Sequence, residues 1–321
     1  MRLSSLAAAV ALAAVIMSAR GPLEAQGVRR GANYFPNLPV VTQDGKTLRF
    51  YDDVIKDKIV LISFAYTNCP DICPLTTARI AQVEDKLGDM VGRDIFFVSM
   101  TVDPERDTPE RLKEFANAFD AGPGWLFLTG KPEDIRLINS RLGDRSRTLS
   151  EHRNEIVLGN DATGEWTRNT VFGDIDRLIM DIRAMDPKWR AEVREPKFDA
   201  ASNTGYAVDQ LQPGQAMFKK ICAPCHTIGV GDRVGPDLRG VSERRRHEWL
   251  TRFIRTPDKV LAEKDPIALT LAAKFPGARM PNLKLSESDA ADLISYIGAQ
   301  TSLLAEGPQG APAPNQHNHH H

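Results

Sequence analysis

Four cysteines in a chain of 321 residues fall into two tight pairs, and each pair has a spacing with chemical meaning. Cys222-Ala-Pro-Cys225-His226 is the pattern by which a polypeptide attaches a c-type haem. Two thiols three positions apart can each bond one vinyl group of the porphyrin, and the histidine after them then lies under the iron as its proximal ligand. The same spacing serves as a zinc half-site or a redox pair, but zinc wants two further Cys or His ligands at matching spacing, and none follows in this half. Cys69-Pro-Asp-Ile-Cys73 has three intervening residues. On a helix, positions four apart share a face, which directs both sulfurs to one point. A helix N-terminus would also favour their thiolates. Three chemistries compete here: a structural disulfide, as is common in exported proteins; a catalytic dithiol; and a copper site, since two thiolates and an imidazole suit that metal. A loop this short constrains the unfolded chain little, which counts against the disulfide.

The elements that must position these residues follow from periodicity. Residues 40–50 read as a hairpin with Asp44-Gly45 at its turn. Residues 59–64, 95–100 and 125–128 are short apolar runs suited to buried strands. Helical spacing covers residues 76–87. Thr108-Pro109 opens a second helix with Leu112, Phe115 and Phe119 on one face, and residues 132–142 make a third. A second hairpin is expected over 155–168, turning near Thr163-Gly164, and a last helix over 175–185. Strands alternating with helices imply βαβ units in a mainly parallel or mixed sheet, covered on both faces. A cysteine pair directly after the first long strand, at a helix start, is the thioredoxin-like arrangement. Residues 187–213 carry little periodicity and read as a linker. From Gly214 the pattern is all helical, with 214–222 leading into the CAPCH motif and further helices over 246–255, 266–273 and 286–300. Ser286, with Asp289 three residues on, caps the last of these, and Leu293, Ile294 and Ile297 form its apolar face.

Two resemblances give these patterns a name. YTNCPDICPLTT, followed by SMTVDPERDTPERL, resembles the Sco/SenC family of copper chaperones for cytochrome c oxidase, over residues 30–185. That likeness implies a thioredoxin-like fold and copper held by Cys69, Cys73 and a distant histidine, here His152, the one histidine in this part of the chain. Asp103 would then shape a loop near the site rather than bind the metal. GVGDRVGPDLRGV after His226, and then ARMPNLKLSESDAADLISYI, resemble the class I cytochromes c over residues 213–304. This second likeness implies that Gly235-Pro236-Asp237-Leu238 orient the proximal histidine and that Met280 is the sixth ligand. It also implies that Gly214 and Phe218 pack against Tyr296, and His247 is read as a surface residue. A soft thioether on the iron raises its potential and fills the last coordination position, which suits electron transfer rather than chemistry on a substrate. The expected fold is thus an α/β thioredoxin-like domain followed by an all-α cytochrome c domain. Its divisions are a leader (1–26), the first domain (27–186), a linker (187–212), the cytochrome domain (213–304) and a disordered tail (305–321).

Composition agrees with a soluble globular chain, at 42% hydrophobic and 26% charged residues, and the length suits about two domains. A net charge of -1 argues against nucleic-acid binding. Arg2, the apolar run 6–17 and the small residues Ala19, Gly21 and Ala25 read as a secretory signal. The run is shorter than the roughly 20 residues of a spanning helix, so an uncleaved anchor, with membrane association, is the lesser alternative. Haem attachment in the cytochrome family also requires export, and the expected location is the periplasm or the outer face of the cytoplasmic membrane. His317, His319, His320 and His321 at the far end are either an incidental tail or a weak collector of copper or nickel.

These features favour an exported assembly factor. It would take up copper at Cys69, Cys73 and His152 and pass it to the copper-centre subunit of a respiratory oxidase, or to another copper protein. One covalent haem c, on Cys222, Cys225, His226 and Met280, would exchange electrons with the copper or the dithiol and with a redox protein partner. The alternatives are a thiol-disulfide oxidoreductase using Cys69 and Cys73 on the oxidase's copper-site cysteines, and a plain electron carrier whose first domain docks it. Reducing a disulfide takes two electrons and one haem holds one, whereas copper cycling takes one. A His/Met haem is also relatively oxidising against most exchange disulfides.

Overall fold

The computed structural model describes residues 31–144, 146, 148–149, 155–192 and 214–306. The leader, His152, most of the segment read as a linker and the histidine-rich end lie outside these residues. Seven strands make one sheet: β1 (Pro39–Thr42), β2 (Thr47–Arg49), β3 (Ile59–Ala65), β4 (Ile95–Thr101), β5 (Trp125–Thr129), β6 (Glu155–Asn160) and β7 (Glu165–Thr170). Their order is β2-β1-β5-β4-β3-β6-β7. The central trio β3, β4 and β5 is parallel, and the two hairpins flank it antiparallel, β1 on β5 and β6 on β3. Parallel neighbours need crossovers, and the helices α1 (Cys73–Leu87) and α2 (Pro109–Ala118) supply them.

Alternation along the strands sorts their side chains onto two faces. Leu61, Phe97, Trp125 and Phe127 face α1, α2 and α4 (Ile175–Arg183), while Val60, Ile62, Val98 and Met100 face α3 (Pro132–Leu142) and the Phe50–Ile55 turn. On the first face the Trp125 indole donates to Ser99 Oγ at 2.9 Å, and Ser99 pairs with Ser63 at 2.8 Å, so these buried polar atoms have partners. Thr108 accepts the Arg111 N–H with Pro109 in the first turn of α2, and Asp174 accepts the Arg177 N–H at the start of α4. Two local differences from the periodicity stand out. The first hairpin stops at Arg49, because Phe50, Val54 and Ile55 bury themselves by winding into a helical turn. The chain is also helical over α5 (Pro187–Glu192), where the pattern reads as irregular.

The second part is helical. α6 (Gln215–Met217) runs into the wider turns of Phe218–Cys222 and is followed by α7 (Val241–Arg244), α8 (His247–Arg255), α9 (Pro257–Ala262), α10 (Pro266–Lys274) and α11 (Glu287–Glu306). α9 has too few apolar residues to announce itself by period. Ser286 and Asp289 form the expected reciprocal cap: the Asp289 N–H donates to Ser286 Oγ at 3.1 Å and the Ser286 N–H to Asp289 Oδ2 at 2.8 Å. Phe218 packs on Tyr296 with ring centroids 5.4 Å apart, in a cluster with Leu293 and Ile297. This crossing requires Gly214, whose φ is +81° and where a Cβ would lie 2.3 Å from the Asp292 carbonyl oxygen. Gly214→Ala should therefore lower the thermal midpoint of the helical part by at least about 5 °C. It should also reduce haem incorporation per chain; calorimetry and the Soret absorbance check this, and an unchanged midpoint would show that the crossing tolerates a side chain.

Candidate functional site

The chain leaves β3 through Tyr66 and Thr67, and the anchor of that exit is Asp107, only 1% exposed. Its carboxylate accepts Thr67 Oγ1 at 2.6 Å, Thr101 Oγ1 at 2.6 Å and the Thr67 N–H at 3.2 Å. Burial raises the Asp107 pKa, and the Thr101 and Thr67 hydrogen bonds oppose the rise. Asp103 shapes the same loop, as expected: its carbonyl accepts the N–H groups of Arg106 and Asp107, and its carboxylate pairs with Arg106. Asp107 was not anticipated; its signal lay in the threonines at the ends of β3 and β4, which need a common acceptor.

Cys69 N–H closes a turn onto the Tyr66 carbonyl at 3.2 Å, and α1 begins only at Cys73, with Pro74 in its first turn. The expectation that helical i, i+4 spacing aligns the sulfurs is thus corrected. Pro70 disfavours the helical conformation at Cys69, so the pair meets across a turn that ends on a helix start. Cys69 and Cys73 are buried and not joined in a disulfide. The Cys73 thiol donates to the Cys69 sulfur, and that bond is the main reason the Cys69 pKa falls well below the thiol range despite burial. The N–H groups of Cys73 and Asp71 and the Tyr66 hydroxyl add to it. Cys73 moves the opposite way, raised by the same bond and by burial. Burial, and then the Cys69 charge, raise Tyr66. The arrangement favours the thiolate at Cys69 and the thiol at Cys73 in an apolar setting, which suits a soft cation or attack on a disulfide.

Cys222, Cys225, His226 and Met280 line one cavity of about 460 Å³, whose remaining wall is mostly apolar, including Val234, Leu238, Trp249 and Phe253. The His226 ring lies against bare backbone, since a Cβ on Gly235 would sit 2.6 Å from its Cε1. Its Nδ1 is 2.9 Å from the Pro236 carbonyl oxygen, which accepts only if Nδ1 carries the proton, leaving Nε2 free to bind a metal. Burial lowers the His226 pKa and raises those of Cys222 and Cys225 to about 12, keeping all three neutral. Two thiols, an imidazole with a free Nε2 and a thioether around an apolar cavity fit a haem. Asp237 pins the loop that carries Pro236, accepting the N–H groups of Gly229 (2.9 Å), Gly231 (2.6 Å) and Arg239 (2.7 Å). His247 is exposed, as expected.

The cavity also takes in residues of the first part. Pro70, Pro74 and Leu75, from the segment that carries the cysteine pair, belong to its wall. The structure thus brings six of the seven expected site residues to two adjoining places. His152, the seventh, lies outside the described residues.

A mixed sheet with a parallel centre and a cysteine pair at the start of its first crossover helix defines a thioredoxin-like protein. Family models match in two places, SCO1/SenC over residues 31–155 and Cytochrome c over residues 211–301. An SCO2-like protein of Rickettsia felis is 34% identical over 155 residues, covering 45% of this chain and 73% of the relative. Protein SCO1 homolog 1, mitochondrial, of Arabidopsis thaliana is 35% identical over 99 residues, covering 31% of this chain and 28% of that one. Among solved structures, Arabidopsis thaliana ScoI with copper bound shares 27% identity with a TM-score of 0.38, covering 45% of this chain and 92% of that one. The chain spans about half or less of the length of several curated relatives it matches. It belongs to the SCO1/SenC family, and a cytochrome c domain, which implies haem, follows the family domain.

Two substitutions test how the sites are held. Asp107→Ala would strand the Thr67 and Thr101 hydroxyls, so it should cost about 1–3 kcal/mol in denaturant unfolding. It should also loosen the cysteine turn, read as faster hydrogen exchange at Cys69; exchange at the parent rate would mean that the turn holds itself. The Asp237 pKa is lowered to about 2, because its backbone donors outweigh the opposing effect of burial. Against an unfolded value of about 3.9, that stabilisation is complete above about pH 4 and is lost as pH falls through about 2. Solvent reaches this carboxylate, so Asp237→Asn should cost only about 0.5–1 kcal/mol at neutral pH. The difference from the parent should vanish near pH 2, and a pH-independent difference in unfolding free energy would refute the assignment.

Proposed function

We propose that this protein is an exported copper-binding assembly factor for the copper centre of a respiratory oxidase, carrying one covalent haem c. The observation that carries this reading is the buried, unbridged pair Cys69 and Cys73 beside the cavity lined by Cys222, Cys225, His226 and Met280. Copper is the cargo. Cys69 offers a thiolate, Cys73 gives up its proton as the metal arrives, and His152 supplies the third donor, a set suited to copper. The wall of Pro70, Pro74 and Leu75 and the buried Tyr66 limit water around the sulfurs. In the second site, Cys222 and Cys225 would attach the haem, and His226, oriented through Nδ1 by Pro236, would hold its iron together with Met280. The bound haem supplies a one-electron store, which matches a change between Cu(I) and Cu(II).

The leader at residues 1–26 supports export, and no helix among the described residues is long and apolar enough to cross a membrane. The recipient is a copper-centre subunit or another copper protein, and a redox protein serves the haem. A second reading draws on the lowered Cys69 pKa, which suits thiol exchange with the cysteines of the oxidase's copper site. Electron count weighs against the haem driving that reaction, since a disulfide needs two electrons.

Metal analysis and stopped-flow spectroscopy test the reading together. The reduced full chain should take up one Cu(I), Cys69→Ser or Cys73→Ser should abolish tight uptake with the haem spectrum unchanged, and His152→Ala should weaken retention of Cu(II). Mixing the ferrous protein with Cu(II) should oxidise the haem within seconds. A reduced chain that ignores copper would leave the thiol oxidoreductase or the simple carrier in its place.

A further inference from the structure

The cysteine turn and the irregular segment that carries Met280 are joined by a backbone hydrogen bond. Pro70 stands between Cys69 and Cys73, and its carbonyl oxygen accepts the Asn282 N–H at 3.0 Å. Asn282 follows Met280 by two residues, with Pro281 between them. Both prolines have fixed φ and no N–H, so little of a displacement is lost in backbone rotation along this path. The junction is braced on either side. Asn282 Nδ2 donates to Asp258 at 2.8 Å, Ala278 and Val234 pack against the sheet's hydrophobic cluster, and Arg233 pairs with Asp85 at 3.5 Å.

We propose that the Pro70–Asn282 hydrogen bond couples metal occupancy of the Cys69–Cys73 site to the ferric–ferrous balance of the haem, by moving the segment that presents Met280. The inference rests on the copper and haem reading above and adds to it a residue pair and a direction of influence. Pro70 lies between the two cysteines in the chain, so a cation bound by both Cys69 and Cys73 fixes the ends of the turn that carries the Pro70 carbonyl. Any adjustment of that turn is passed to Asn282 through the hydrogen bond, and Pro70 and Met280 already share the wall of one cavity. Coupling is reciprocal, and the haem's redox state changes metal affinity by the same factor.

Silver(I) is the probe, since it has the charge and softness of Cu(I) and no second oxidation state in reach. Spectroelectrochemical titration of the haem in the reduced full chain, with and without one equivalent of Ag(I), should show a shifted midpoint. Each tenfold difference in metal affinity between the two haem states corresponds to about 59 mV for this one-electron couple. Asn282→Pro, which removes the N–H, should bind Ag(I) with the same stoichiometry and lose the shift. Asn282→Ala, which keeps the N–H and loses the side-chain contacts with Asp258 and the Lys284 N–H, should retain it. In the parent chain, hydrogen exchange at the Asn282 amide should change when Ag(I) binds, a readout that survives if the proline variant does not fold. Bound silver with an unmoved midpoint, an unaltered Asn282 amide, or a full shift in Asn282→Pro would overturn the coupling and leave the copper reading standing. A chain that binds neither Ag(I) nor Cu(I) would sink both.

Discussion

Two buried sulfurs that must be given polar partners are the constraint around which the first part of the molecule is arranged. A thiolate in an apolar setting is costly unless donors surround it. Cys69 finds them in the Cys73 thiol, the N–H groups of Asp71 and Cys73, and the Tyr66 hydroxyl. Those N–H groups are free only because the chain turns onto the start of α1 there, where the first amides of a helix have no internal partner. The turn in turn needs its upstream end fixed, and Asp107 fixes it by bonding threonines at the ends of two adjacent parallel strands. The in-register pairing of β3 with β4, from Ile59 on Ile95 to Ala65 on Thr101, brings Thr101 to the point where the chain turns out of β3 toward Thr67. Sheet, loop and helix start are thus successive answers to one electrostatic problem.

The helical part solves a different problem, that of keeping an imidazole neutral, oriented and backed by nothing but main chain. Gly235 removes a Cβ, Pro236 offers a carbonyl, and Asp237 ties down the loop that carries both. Three consecutive residues therefore hold position, tautomer and rigidity. The apolar wall built by α8 to α11 keeps water from competing for Nε2. Neither arrangement depends on long-range charge. The net charge of -1 leaves the short-range bonds to decide the chemistry.

What could be read from the chain alone was whatever is local. Cysteine spacing, alternating strands, the Ser286–Asp289 cap and the proline at the start of α2 all lie within a few residues of the groups they serve. The mixed sheet and the two matched families were therefore legible. Cys69 lay beyond a periodicity argument, because a proline after it converts apparent helical spacing into a turn. Asp107 was hidden because its partners, Thr67 in the turn after β3 and Thr101 at the end of β4, are remote in sequence from each other. The phenylalanine turn at residues 50–55 and helix α9 are driven by burial against distant elements, which period alone does not register. Asn282 and Pro70 are remote in sequence and meet through backbone atoms, so no side-chain type marked either one.

The polar contacts between the two parts are weak. Arg233 and Asp85 have side chains that are 44% and 68% exposed, and an ion pair so open to solvent is worth about 0–1 kcal/mol. One backbone hydrogen bond adds about as much. The larger share falls to apolar packing, in which Ala278 and Val234 lie against the sheet's hydrophobic cluster. Pro70, Pro74 and Leu75 form part of the wall of the cavity that Cys222, Cys225, His226 and Met280 line, so the turn that carries the first cysteine pair cannot shift without reshaping the second site.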